Sequence, residues 1–212
     1  MKKKKTNKLS FLDNLEDDPL KYYKFSKKID TVNKGLKKIN IVFLANFTVE
    51  LLEPFIKVEL AKRNFKPNIY FAPYDQIEQE VYNENSKIYR EKNDIIVIAI
   101  RLENLLPNLF TDLIYSDKKF KNKINEIKKR IFNLINQTRK KNTFSKIVFF
   151  NFNYIKEDLQ AFTSTSSNIN LSSLIEQINS YLISLTKKFN SLFIFDFKKI
   201  PKQFEKKFKK NV

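Results

Sequence analysis

Five short segments of the chain are apolar almost without interruption: Ile39–Ala45, Asn68–Ala72, Asp94–Ile100, Lys146–Asn151 and Leu192–Phe197. Each is rich in β-branched and aromatic residues and predicts a strand. Continuous apolar runs, unlike alternating ones, mark strands covered on both faces, the usual condition of a parallel sheet. Between them, apolar residues recur at helical spacings of three and four. Leu51, Leu52, Phe55, Val58 and Leu60 do so through 49–64; Phe120, Ile124, Ile127, Ile131, Leu134 and Ile135 form a second stripe; Leu171, Leu174, Ile175, Ile178, Leu182 and Leu185 form a third. Strands alternating with helices imply βαβ crossovers and an α/β fold, a three-layer α/β/α sandwich around a five-stranded, mostly parallel sheet. Ahead of it, Leu20–Lys34 predicts a leading helix closed by Gly35 as its C′ cap. The expected organisation is a basic extension with that helix over 1–38, an α/β domain over 39–200 and a basic tail over 201–212.

Composition narrows the chemistry. The 212 residues include no Cys and no His, which removes disulfides, thiolate nucleophiles, zinc ribbons, His-ligated metals and a Ser-His-Asp triad. Proton transfer is left to Lys, Tyr, Asp and Glu. A single Gly excludes the glycine-rich loops that cradle dinucleotides and nucleoside triphosphates. No cofactor and no metal is expected. No apolar run approaches the roughly 20 residues needed to cross a bilayer. The basic start Met1–Lys5 is followed by Asp13, Glu16, Asp17 and Asp18 instead of the apolar segment of a signal peptide, so a cytoplasmic location is expected.

The net charge is +18, and much of it sits at the two ends. Within the body, 118–141 carries ten Lys and Arg against Glu126 alone. This helix could dock an acidic partner, or its charges could simply cover the solvent side of an amphipathic helix. No nucleic-acid-binding motif accompanies it, so specific nucleic-acid recognition is not expected.

Ligands of open parallel sheets sit beyond the carboxyl ends of the strands. In this chain those positions hold Asn46, Thr48 and Glu50; Asp75 and Gln76; Arg101 and Glu103; Asn151 and Asn153; and Asp196. Each has an ordinary role available: Asn46, Thr48 or Asp75 as a helix N-cap, Arg101 with Glu103 as an exposed ion pair. Convergence of all five strand ends on one crevice is what favours binding, with Asn46, Thr48, Asp75, Gln76, Arg101, Glu103 and Asn151 as binding candidates and Thr48, Asp75 and Asp196 as candidates for catalysis.

The wording of these segments resembles a known family. Ile41–Thr48, followed by Leu52-Glu53-Pro54-Phe55 and Val58-Glu59-Leu60, is similar to the opening of the N-terminal domain of FkbH-like proteins. Ile69–Glu80 resembles that family's strand-and-loop signature, and Ser86…Tyr89 with Asp94 resembles its turn into the third strand, after which Arg101-Leu102-Glu103 follows. The resemblance is specific over 41–103 and looser to 197. It implies a flavodoxin-like, SGNH-hydrolase-like domain, usually joined to a haloacid-dehalogenase (HAD) domain that transfers a glyceryl unit onto an acyl carrier protein. The Asp-x-Asp-x-Thr nucleophile motif of that second domain occurs nowhere in the sequence. The SGNH pattern is also incomplete, with Asn46 where its serine is expected and Asp196 followed by Phe197, Lys198 and Lys199 instead of by a histidine.

These features imply an accessory, non-catalytic module, either stand-alone or the detached front half of a two-part enzyme. Its expected partners are an acidic acyl carrier protein and a separate HAD-type glyceryl or phosphoryl transferase, in secondary-metabolite or surface-glycan assembly. The alternative is a divergent SGNH-type hydrolase or transferase active on its own.

Overall fold

In the computed structural model, which describes residues 12, 15, 18–32, 35–105, 117–153 and 171–199, all five apolar runs are strands: β1 (Lys37–Ala45), β2 (Phe65–Phe71), β3 (Ile95–Ala99), β4 (Lys146–Phe150) and β5 (Leu192–Phe195). They form one parallel sheet in the order β2-β1-β3-β4-β5, the flavodoxin-like order that the family resemblance implies. β2 starts three residues earlier than expected and takes in Pro67, which an edge strand tolerates because one side of its backbone needs no ladder bond.

Burial on both faces explains the unbroken apolar runs. Successive strand residues point to opposite sides. Val42, Leu44, Ile96, Ile98, Ile147 and Phe149 meet helices on one face, while Ile41, Phe43, Ala45, Val97 and Ala99 build a second core on the other. Leu44, Ile96 and Ile98 are fully buried; each such side chain contributes about 1.5–3 kcal/mol. The first face is covered by α3 (Ile77–Tyr82), the short α4 (Lys87–Arg90), a long helix α6 (Asp117–Lys141) and α7 (Leu171–Leu185); the second by α2 (Glu53–Lys62) through Ile56 and Leu60. Three layers result, as the alternating pattern predicts.

The stripe expected through 49–64 is only partly right. Leu51, Leu52 and Phe55 are exposed, at 77%, 44% and 37%, and the buried residues are Val58 and Ala61. A 3-10 turn over Glu50–Leu52 precedes α2, and α2 is sandwiched between the sheet and α1 (Pro19–Thr31). Ile56 and Leu60 face the sheet while Val58 and Ala61 face Ile29 of α1, so no single stripe describes it. Tyr22 of α1 packs at a tilt against Phe55, with ring centroids 4.7 Å apart.

Helix α1 opens on Asp18, whose side chain accepts from the Leu20 N–H at 2.9 Å, and it ends at Thr31, short of the predicted Lys34. Val32 is extended and breaks it, so Gly35 is not the C′ cap. Gly35 instead takes φ +93° in the turn into β1, a backbone region that favours glycine.

The crossover from β2 to β3 explains the Ser86…Tyr89 motif as scaffolding. The Ser86 side chain caps α4 by accepting from the Ile88 N–H and donates its hydroxyl to Glu80, while the Tyr89 hydroxyl donates to the Val81 carbonyl at 2.6 Å. Burial pushes the Tyr89 hydroxyl up to about 12.

Helix α6 buries Ile124, Ile127, Ile131, Leu134 and Ile135 as its periodicity predicts; the Phe120 and Leu171 side chains lie outside the described set. Part of its positive charge is turned to structural use. Arg130 pairs with Glu78 and Lys141 with Glu84, fastening α6 to the β2–β3 crossover, and Lys128 lies 5.7 Å from the Tyr181 ring. Lys121, Lys129 and Lys140 stay exposed. The first eleven residues of the predicted basic extension and the basic tail 201–212 lie outside the described residues.

Candidate functional site

Because every strand runs parallel, all five carboxyl ends lie along one rim of the sheet. From β1 the chain turns outward to β2 over one face; from β2 it returns past β1 to β3 over the other. Neighbouring connections that depart to opposite faces leave a crevice between the ends of β1 and β3. The residues that follow these two strands define the candidate site.

Asn46 closes the end of β1. It is only 4% exposed. Its backbone N–H donates to the Ala99 carbonyl at 3.3 Å, and its side-chain Oδ1 accepts from the Arg101 N–H at 2.9 Å. One asparagine thus ties the two strand ends together, and its Nδ2 has no acceptor among the described residues. The Arg101 side chain is exposed and lies with its guanidinium carbon 4.9 Å from the centroid of the Phe47 ring. Among the described residues no carboxylate is within ion-pair distance of it. The acids that follow β1 are engaged elsewhere: Glu50 accepts from the Val49 N–H at 2.9 Å, and Glu53 pairs with Lys57 at 2.9 Å.

Asp75 arrives from β2. Its N–H donates to the Ala45 carbonyl at 3.3 Å, placing it beside Asn46, and its φ of +56° is the left-handed conformation that aspartate tolerates better than most residues. Thr48, Asp75 and Gln76 are exposed. Glu103 lies on α5 (Leu102–Leu105), and its side chain is outside the described set.

Asn151 and Asp196 form a separate bonded group at the ends of β4 and β5. The Asn151 Nδ2 donates to Asp196 Oδ1 at 2.7 Å, its Oδ1 accepts from the Phe197 N–H at 3.0 Å, and its own N–H donates to the Phe195 carbonyl at 3.0 Å. Lys199 Nζ lies 3.6 Å from Asp196 Oδ2. Both heteroatoms of the buried Asn151 side chain are therefore bonded within the fold. Next to it, the Asn179 amide makes two bonds of 2.8 Å to the backbone N–H and carbonyl of Phe152, anchoring α7 to the same strand end. Asn153 is exposed.

The rim therefore brings Asn46, Arg101 and Asp75 together at β1, β2 and β3, and pairs Asn151 with Asp196 at β4 and β5. Sequence reasoning missed Phe47, the ring beneath Arg101. An aromatic residue set between the polar candidates Asn46 and Thr48 just beyond a strand was the available signal. Among the described residues no group of three or more Asp and Glu side chains could hold a metal ion, and no helix is long and apolar enough to cross a membrane.

The family model described as the FkbH N-terminal domain matches residues 40–212. Among solved structures, the N-terminal part of the protein BF1531 from Bacteroides fragilis, containing a phosphatase domain complexed with Mg, is similar with a TM-score of 0.68 at 16% identity. That similarity covers 86% of this chain and 46% of that one, so this chain spans about half its length. A protein of Parabacteroides merdae described as a GDSL-like lipase is similar with a TM-score of 0.47 at 16% identity, over 74% of this chain and 78% of that one. No curated protein matches the sequence.

Proposed function

Because this chain belongs to the FkbH N-terminal domain family, we propose that it is an accessory binding module, which holds a substrate or a carrier protein for a separate HAD-type glyceryl or phosphoryl transferase in secondary-metabolite or surface-glycan assembly. The observation that carries this reading is how the strand-end groups are used. The place of a hydrolase nucleophile after β1 is taken by an asparagine bonded to the Arg101 backbone, and the late aspartate is held by Asn151. Neither group has an imidazole to work with, since the sequence contains none. Thr48 carries an exposed hydroxyl at the rim, and an unactivated hydroxyl is a poor nucleophile. Polar groups that orient without activating suit binding better than turnover.

An acidic acyl carrier protein is the partner this reading favours, with Lys121, Lys129 and Lys140 on the exposed side of α6 as steering charges. Titration of the full chain with such a carrier protein at low salt should give saturable binding that weakens at least tenfold at high salt. Absence of binding at low salt would reject the carrier protein as partner.

A further inference from the structure

We infer that the β1/β3 rim is a binding site for a small oxyanion, the carboxylate or phosphate group of a ligand. This rests on the reading of the rim as a binding crevice and names the chemistry it recognises. Four donors belong to the three consecutive residues after β1 and to Arg101, the second residue beyond β3. Among the described residues the backbone N–H groups of Phe47 and Thr48 have no acceptor, and neither has Asn46 Nδ2. The fourth donor is the Arg101 guanidinium, which has no counter-ion among the described residues.

Their proximity is fixed by bonds already present. Asn46 is buried and its Oδ1 accepts from the Arg101 backbone N–H at 2.9 Å, so its free Nδ2, on the same planar amide, is close to residue 101. The Arg101 guanidinium carbon lies 4.9 Å from the centroid of the Phe47 ring, so the cation is held against the residue that carries one of the free N–H groups. A guanidinium laid on a ring keeps its planar edge available and loses less freedom when it binds two oxygens of one anion. Successive free backbone N–H groups beside a cation are the elements from which anion-binding concavities are built. No donor in this set can ionise to an anion; of the described carboxylates nearby, Glu50 accepts from the Val49 N–H at 2.9 Å and Asp75 lies at the end of β2, beside Asn46.

Asp75 supplies a second handle. Its carboxylate repels an anion at this rim, so Asp75→Asn should tighten binding, whereas Arg101→Gln should weaken it. The probes are inorganic phosphate and acetate, titrated separately into the isotopically labelled full chain at low ionic strength and followed by NMR. The expected result is that the Phe47 and Thr48 amides and the Asn46 side-chain amide shift together with one or both probes. Arg101→Gln should raise the dissociation constant at least tenfold without changing the unfolding midpoint, and Asp75→Asn should lower it by two- to threefold. Acetate acting alone assigns a carboxylate site, and phosphate acting alone a phosphate site. Shifts confined to lysine-rich segments, or an Arg101→Gln variant that binds as well as the parent, would overturn the inference. Failure of carrier-protein binding leaves this result standing, because no partner protein enters the titration.

Discussion

Replacing Arg139 by alanine should lower the unfolding free energy by about 2–3 kcal/mol, with Arg139→Lys recovering little of it. The residue looks from the sequence like one more cation in the basic run at the end of α6. Its side chain instead turns into the fold. One guanidinium nitrogen, Nη1, donates to the carbonyls of Asn142, Thr143 and Ser145 at 3.0, 3.1 and 2.8 Å, and Nη2 donates to the Ser191 carbonyl at 3.3 Å. These are the turns that feed β4 and β5 into the sheet, so one planar cation joins two strand entries. Alanine leaves the Asn142, Thr143 and Ser145 carbonyls short of a donor, while the Ser191 carbonyl keeps the Ile147 N–H at 3.0 Å. Lysine, with a compact ammonium, cannot span the fork. Burial lowers the Arg139 pKa, but the group stays charged at any working pH, so the loss should not depend on pH between 5 and 9. A urea melt checks it; an Arg139→Ala midpoint equal to that of the parent would show the carbonyls are satisfied without the arginine.

The second large effect is expected at the opposite edge of the same two strands. Asn151→Asp should destabilise the fold by about 2–4 kcal/mol at neutral pH. The substitution removes the donor that meets Asp196 at 2.7 Å and sets two carboxylates against each other in a partly buried site. Such a pair shares a proton more readily than either group alone, so the penalty should shrink as the pH falls toward 4. Denaturation of the two proteins at pH 7 and at pH 4 measures this directly, and a penalty that is the same at both would exclude charge repulsion as its cause. The variant also separates the two groups on the rim. Stability should fall while phosphate or acetate titration at Arg101 stays unchanged, since Asn151 has both side-chain heteroatoms engaged within the fold.

The sheet was legible in the sequence because its strands stay largely apolar even where Asn40 interrupts β1 and Phe193 and Phe195 of the edge strand β5 are exposed: Ile95–Ala99 and Lys146–Phe150 differ from their predicted bounds by a residue at most at either end. Helix α2 was less so. Its buried residues answer to the sheet and to α1 at once, and Leu51, Leu52 and Phe55 mimic a core stripe while facing solvent. The leading helix stopped early because an extended Val32 ended it before Gly35 was reached. At the site, residue types and their strand-end positions were readable, but their bonding was not. Asn46 and Arg101 are 55 positions apart, and only the order β2-β1-β3 makes them neighbours. The same holds for Asn151 and Asp196, which sequence position suggests as candidate ligands and the fold uses on each other.

On the function proposed above, the rim of this sheet holds ligands and does not transform them. Turnover of a panel of chromogenic carboxylic esters and phosphate esters by the full chain tests it most directly, with Thr48→Ala run alongside. Hydrolysis no faster than in buffer, identical in parent and variant, is expected of a binding module. Catalysed hydrolysis of any substrate in the panel, abolished by Thr48→Ala, would contradict it and make this chain a hydrolase working without histidine.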